Sequence, residues 1–182
     1  MSIALIVLTL AWLPLTLRAD EPLTLTARGT VQVAFTPGDD AAGLIIATIA
    51  KARRQILVQA YSFTHQEIAD ALVAACNRGV EVHVIADRYQ SETGKTSKIG
   101  WLIEQGVPVW IDAEHAAAHN KVMILDAGTA QATLITGSFN FTKAGQHRNA
   151  ENVLIFSGNP SLTDAYAANW RRHRIHSQPV RR

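Results

Sequence analysis

Cysteine is almost missing from this chain: Cys76 stands alone among 182 residues, which excludes an intrachain disulfide in any redox compartment. Its alanine-rich, helically spaced surroundings suggest an inert buried thiol. Net charge is nearly missing as well. With 17 Lys and Arg against 15 Asp and Glu the formal charge is +2, so charge alone names no partner and only its distribution is informative. Arg171, Arg172, Arg174, Arg181 and Arg182 crowd the C-terminus, either as a patch that attracts a polyanion or as a solvated tail. Nor is there an apolar run long enough for a bilayer span: Ile3 to Leu17 covers 15 residues, short of the ~20 that a transmembrane helix needs. Followed by Ala19 and the acidic pair Asp20-Glu21, residues 1–19 are expected to be a secretory signal peptide, with a membrane anchor as the alternative. A periplasmic or secreted location follows. Internal repeats and low-complexity tracts are lacking too, and residues 20–182 suit one domain rather than two.

What is present is an alternation of strand and helix signals. Val31 to Phe35 predicts a strand closed by Pro37-Gly38, and Asp39 or Asp40 can cap a helix running to about Arg54. Ile56 to Ser62 follows as a strand. Ile68, Leu72, Val73 and Ala75 then recur at helical spacing over His65 to Arg78, with Gly79 as the stop. Strands are expected at Val80 to Asp87, Val107 to Ile111, Val122 to Leu125, Ala132 to Thr136 and Asn152 to Phe156, and helices at Thr96 to Gln105 and Ser161 to Arg174. The fold class is α/β, a mixed β-sheet flanked by helices on both faces.

The polar residues with chemical promise form a split cluster: His119-Asn120-Lys121, Asp126, Gly137-Ser138-Phe139-Asn140 and Glu151-Asn152. Residues two apart on a strand share a face, so His119 and Lys121 set an imidazole beside an ammonium, and Ser138 and Asn140 repeat that spacing. Gly137 lets backbone approach a ligand closely. The set resembles the signature of the phospholipase D superfamily, in which His, any residue, Lys, four residues and Asp precede a Gly-Ser-x-Asn segment. Ala60-Tyr61-Ser62-Phe63-Thr64 and the run Thr136 to Ala144 extend the likeness to the small, single-motif bacterial endonucleases of that superfamily, over residues 30–175. Many relatives carry the His-Lys-Asp signature twice; here it occurs once. The ten residues between Asp126 and Gly137 exceed the family's usual gap, and Ala127 to Gln131 are expected to form a lengthened hairpin turn.

Chemistry then suggests roles. Metal-free phosphodiester cleavage needs a nucleophile, a proton donor for the leaving oxygen, and fixed donors around the developing charge. His119 is expected to attack through a neutral ring nitrogen and form a phosphohistidine, with Lys121, Ser138 and Asn140 on the non-bridging oxygens. Glu151 is the candidate that orients His119, as the resemblance also implies. Asp126 belongs to the catalytic signature, yet it lies an odd number of residues from His119. On a continuous strand it faces away, so it is given a supporting role, with capping of nearby backbone amides as the plain alternative.

No metal and no cofactor is expected. His115 and His119 are four apart but enclose no catalytic Glu, which excludes a zinc-protease motif. Ser138 lacks the second glycine of a nucleophile elbow. His65, His83, His147, His173 and His176 are read as surface or satisfied core residues, His147 alone lying near enough to touch substrate. The expected protein is an endonuclease acting on DNA, with RNA as a further substrate; a phospholipase D acting on phospholipid is the first alternative and a non-catalytic nucleic-acid-binding module the second. One His-x-Lys pair supplies one histidine, whereas the reaction uses two, so a homodimer with its active site at the interface is expected.

Overall fold

The structure, a computed structural model, describes residues 22–180; the expected leader 1–19 and the terminal Arg181 and Arg182 lie outside the described residues. Eight strands form one sheet: β1 (Thr30–Thr36), β2 (Gln55–Ala60), β3 (Glu81–Asp87), β4 (Val109–Asp112), β5 (Lys121–Leu125), β6 (Thr133–Gly137), β7 (Glu151–Ser157) and β8 (Gln178–Pro179). Six helices connect them: α1 (Ala41–Ile49), α2 (Gln66–Asn77), α3 (Arg88–Thr93), α4 (Ile99–Glu104), α5 (Lys143–His147) and α6 (Pro160–His176). The strand order is β1-β7-β6-β5-β2-β3-β4-β8. β2, β3 and β4 run parallel through the helical crossovers, and the other pairings are antiparallel.

Strand alternation sorts two cores. Ile56, Val58, Met123 and Leu125 face α1, α2 and α4, while Leu57, Ile124 and Leu134 face Ala167 and Trp170 of α6. Helices therefore cover both faces, as the alternating signals imply. The Asp126-to-Gly137 connection is a hairpin turn, since Leu125 pairs with Thr133 across it.

Three local departures have local causes. α1 begins at its Asp40 cap, whose carboxylate accepts from Gly43 N–H at 2.8 Å, but ends at Ile49 rather than near Arg54. The amides of Arg53, Arg54 and Gln55 bind the Asp126 carboxylate instead. α3 is unexpected because its six residues are too short for a period; Asp87 caps it through Gln90 N–H. α5 and β8, at five and two residues, are equally invisible to periodicity.

The register brings the ends of many strands to one edge. Ala60 pairs with Lys121, Gly137 with Val153, Thr36 with Glu151, and Asp87 with Asp112. This is the carboxyl edge of the parallel strands, where open α/β sheets collect their ligand-binding residues.

Candidate active site

His119 sits on the loop just before β5, its ring exposed, and Lys121 opens the strand with only 7% of its surface exposed. The Lys121 Nζ lies 2.9 Å from His119 Nδ1 and donates to His119 O at 2.8 Å. Tyr61, one residue past β2, completes the group. Its ring lies 4.2 Å from the His119 ring, centroid to centroid, and 4.8 Å from the Lys121 ammonium. Tyr61 N–H donates to Asn120 O, which fixes the two segments to each other. Burial strips water from the Lys121 ammonium and pulls its pKa down from 10.5 to about 8, with the Glu151 carboxylate opposing the shift.

A second wall comes from the segment after β6, where strict alternation separates tasks. Phe139 and Phe141 are 2% and 1% exposed and anchor the segment in the core, while Ser138 is exposed and Asn140 half-buried. Phe141 stacks edge-on against Phe63 at 5.5 Å, and its carbonyl accepts from Thr64 and His65. That clamps the segment beside Tyr61. Ser138 Oγ accepts from Asn152 N–H at 3.0 Å and Asn152 Nδ2 at 3.3 Å, and the Asn152 carbonyl accepts from Ser138 N–H. So tight a crossing needs glycine at 137: its φ is +149°, and a Cβ there would lie 2.2 Å from Asn152 O. Among the described residues the buried Asn140 Oδ1 has no hydrogen-bond partner, a polar atom open to a further group.

The arrangement is an imidazole, a dehydrated ammonium, a hydroxyl and an amide on one sheet edge. Residues 45–174 match the family described as cardiolipin synthase, PLD-like domain. A phospholipase D of Rickettsia prowazekii is 37% identical over 154 residues, which is 85% of this chain and 72% of that one. The chain belongs to the phospholipase D family. Among solved structures, Nuc, a phospholipase D family member from Salmonella typhimurium, superposes with a TM-score of 0.77 at 34% identity, over 84% of this chain and 99% of that one. NucT from Helicobacter pylori has the same fold, with a TM-score of 0.73 at 24% identity over 83% and 99%. The chain is thus a phosphodiesterase-type member of the phospholipase D superfamily, built like its small Nuc branch.

Within this phospholipase D frame, the remaining signature residues occupy separate places. Asp126 lies just past the far end of β5 from Lys121, in a left-handed conformation with φ 52°. Its carboxylate accepts from Arg53, Arg54 and Gln55 N–H at 2.7–3.0 Å. Glu151 accepts from Asn149 Nδ2 at 3.0 Å, and among the described residues no hydrogen bond joins it to His119. The expected orienting contact is replaced by Lys121 on His119 Nδ1, and Glu151 acts on that ammonium through charge. His147 ends α5, exposed. Sequence reasoning missed Asp87. It is 3% exposed, and its Oδ2 accepts from Ala118 N–H, directly before His119.

Proposed function

We propose that this phospholipase D family chain is an endonuclease that cleaves DNA, with RNA as a further substrate, through a phosphohistidine on His119. The observation that carries the reading is the Lys121 Nζ 2.9 Å from His119 Nδ1, a nucleophile and a cation presented together to one phosphate. An ammonium in that position opposes a metal ion at the same centre, so the charge that neutralises phosphate oxygens is the protein's own. With Lys121 donating, Nδ1 is an acceptor and the ring proton sits on Nε2. Arrival of phosphate draws Lys121, Ser138 and Asn140 to the non-bridging oxygens and frees Nδ1 to carry the proton. Nε2 then attacks phosphorus, the P–O bond to the leaving group breaks, and the leaving oxygen takes a proton from a second histidine. That histidine, deprotonated, next takes a proton from water, whose oxygen attacks the phosphorus and releases His119.

The second histidine is proposed to be His119 of another copy. Val31, Val33 and Phe35 line one face of the edge strand β1 and are 48–60% exposed, an apolar stripe that the described residues leave uncovered. Phe35 pairs with Asn152, which holds Ser138, so a copy docked on that stripe abuts the site. Nucleic acid as substrate is supported by the open setting of His119 and Ser138 and by the exposed Lys143 and Arg148 flanking the Ser138–Asn140 wall. Phospholipid is the second reading, favoured by the 37% identity to a protein named phospholipase D.

The test is direct. Purified protein is incubated with plasmid and with phospholipid vesicles in excess chelator, at a temperature where circular dichroism reports it folded. Plasmid nicking that persists in chelator, with intact vesicles, is expected. Head-group release without nicking supports the lipid reading, and activity that returns only with magnesium overturns the mechanism.

A further inference from the structure

On the same sheet edge, three strands from Lys121 and so roughly 14 Å across the sheet, a second polar cluster takes no part in the chemistry above. Asp112 ends β4 with its carboxylate fully buried, and three imidazoles converge on one of its oxygens. His115 Nδ1, His173 Nδ1 and His176 Nε2 lie 3.2, 3.1 and 3.3 Å from Oδ2. The three rings form a near-equilateral triangle, with centroids 5.0, 5.2 and 5.2 Å apart. Glu114 N–H donates to Oδ1 and fixes the carboxylate's orientation.

His115 Nδ1 also lies 3.2 Å from Oδ1, so three imidazoles and the Glu114 amide crowd the two oxygens of one buried carboxylate. A cation gives the three imidazoles and that carboxylate one common partner. Zinc bonds of about 2.0–2.1 Å in a tetrahedron place neighbouring ligand atoms ~3.3–3.4 Å apart. The three oxygen-to-nitrogen separations of 3.1–3.3 Å already match those edges, and all four ligand atoms lie within 4.8 Å of one another. Closing the nitrogen-to-nitrogen edges requires small ring rotations, which the half-exposed His115 and partly exposed His176 can make. Imidazoles with one carboxylate suit zinc-class transition metals rather than calcium or magnesium, which take oxygen.

We propose that Asp112, His115, His173 and His176 form a zinc site of the structural type, with four protein ligands and no open position for substrate. The ion clasps three segments: the end of β4, the loop from Ala113 to Ala118 that delivers His119, and the last turn of α6. His173 and His176 are three apart and share a helix face. Just beyond them β8 pairs with β4, so the clasp locks the C-terminal helix to the sheet where that short pairing alone is weak.

Untagged full-length protein is stripped with chelator, exchanged into metal-free buffer and titrated with zinc chloride by calorimetry. One equivalent per chain is expected, tighter than about 1 µM, with the thermal midpoint raised by several degrees. Cobalt(II) in its place should give the intense visible bands of tetrahedral coordination. His115→Ala and His176→Ala, at the two more exposed ligands, should each weaken zinc at least ~10-fold and the pair abolish the midpoint shift, with the far-ultraviolet spectrum unchanged. Should that pair disturb folding, the wild-type cobalt spectrum decides. Pale octahedral cobalt, no zinc uptake at micromolar concentration, or uptake unchanged in a folded double variant overturns the proposal.

Discussion

The buried carboxylate of Asp87 accepts from Ala118 N–H at 2.9 Å, one residue before His119, while its other oxygen accepts from Gln90 N–H at 2.9 Å. Gln90 in turn donates to the Tyr61 hydroxyl at 3.2 Å, and the Tyr61 ring lies against His119. Asp87 therefore positions the imidazole along two routes, through its own backbone and through the ring that faces it. Asp87→Ala leaves two amides unpaired and should cost about 2–4 kcal/mol of stability. At temperatures where the variant is folded, kcat should fall roughly tenfold or more with KM little changed, and Asp87→Asn should recover part of it. An unaltered kcat would reduce Asp87 to a helix cap.

Lys121 sets the alkaline side of the pH profile. Its ammonium must be charged to hold phosphate, and burial has brought its pKa to about 8. The expected kcat/KM declines above about pH 8. Because Glu151 raises that pKa, Glu151→Gln should move the decline to lower pH. For stability the sign is opposite. The unfolded chain holds this proton more tightly than the native one, so the penalty is complete below about 8 and vanishes as pH rises toward 10.5. Lys121→Met should be more stable than wild type at neutral pH, by on the order of 1–3 kcal/mol, and inactive. His119→Ala should be inactive with an unchanged midpoint. Denaturant melts and pH–rate profiles check both.

Asp126 carries a different load. Its carboxylate satisfies three consecutive amides, so Asp126→Ala should cost about 3 kcal/mol or more while the folded fraction keeps kcat within a few-fold. A variant of normal stability and no activity would assign it to the chemistry.

Gly137 has no room for a methyl group. Gly137→Ala meets Asn152 O and a backbone region unsuited to alanine, which should cost about 2 kcal/mol or more and displace Ser138. Thermal melts should show the loss, and activity should fall further than stability does.

Shared sites have a numerical signature. Co-refolding wild type with His119→Ala at varied ratios should give activity that falls as the square of the wild-type fraction, if each centre uses His119 from both copies. A linear fall would mean that each chain holds a complete site.

The sequence by itself determined whatever depends on local spacing. Strand alternation sets Phe139 and Phe141 inward and Ser138 and Asn140 outward, and it puts Lys121 on the Met123–Leu125 face. Odd spacing on a continuous strand is not what parts Asp126 from His119: the two lie beyond opposite ends of β5. Tertiary structure decided the rest, because those contacts join residues with no common period. Strand order carries Asp87 to the loop before His119, 31 residues on, and Lys121 rather than Glu151 to His119 Nδ1. It also brings His173 and His176 onto Asp112, 61 and 64 residues away. Read singly, those histidines look like surface residues, since a side chain's neighbours across a sheet are set by which strands pair and where the helices pack, and α6 lies directly against β4.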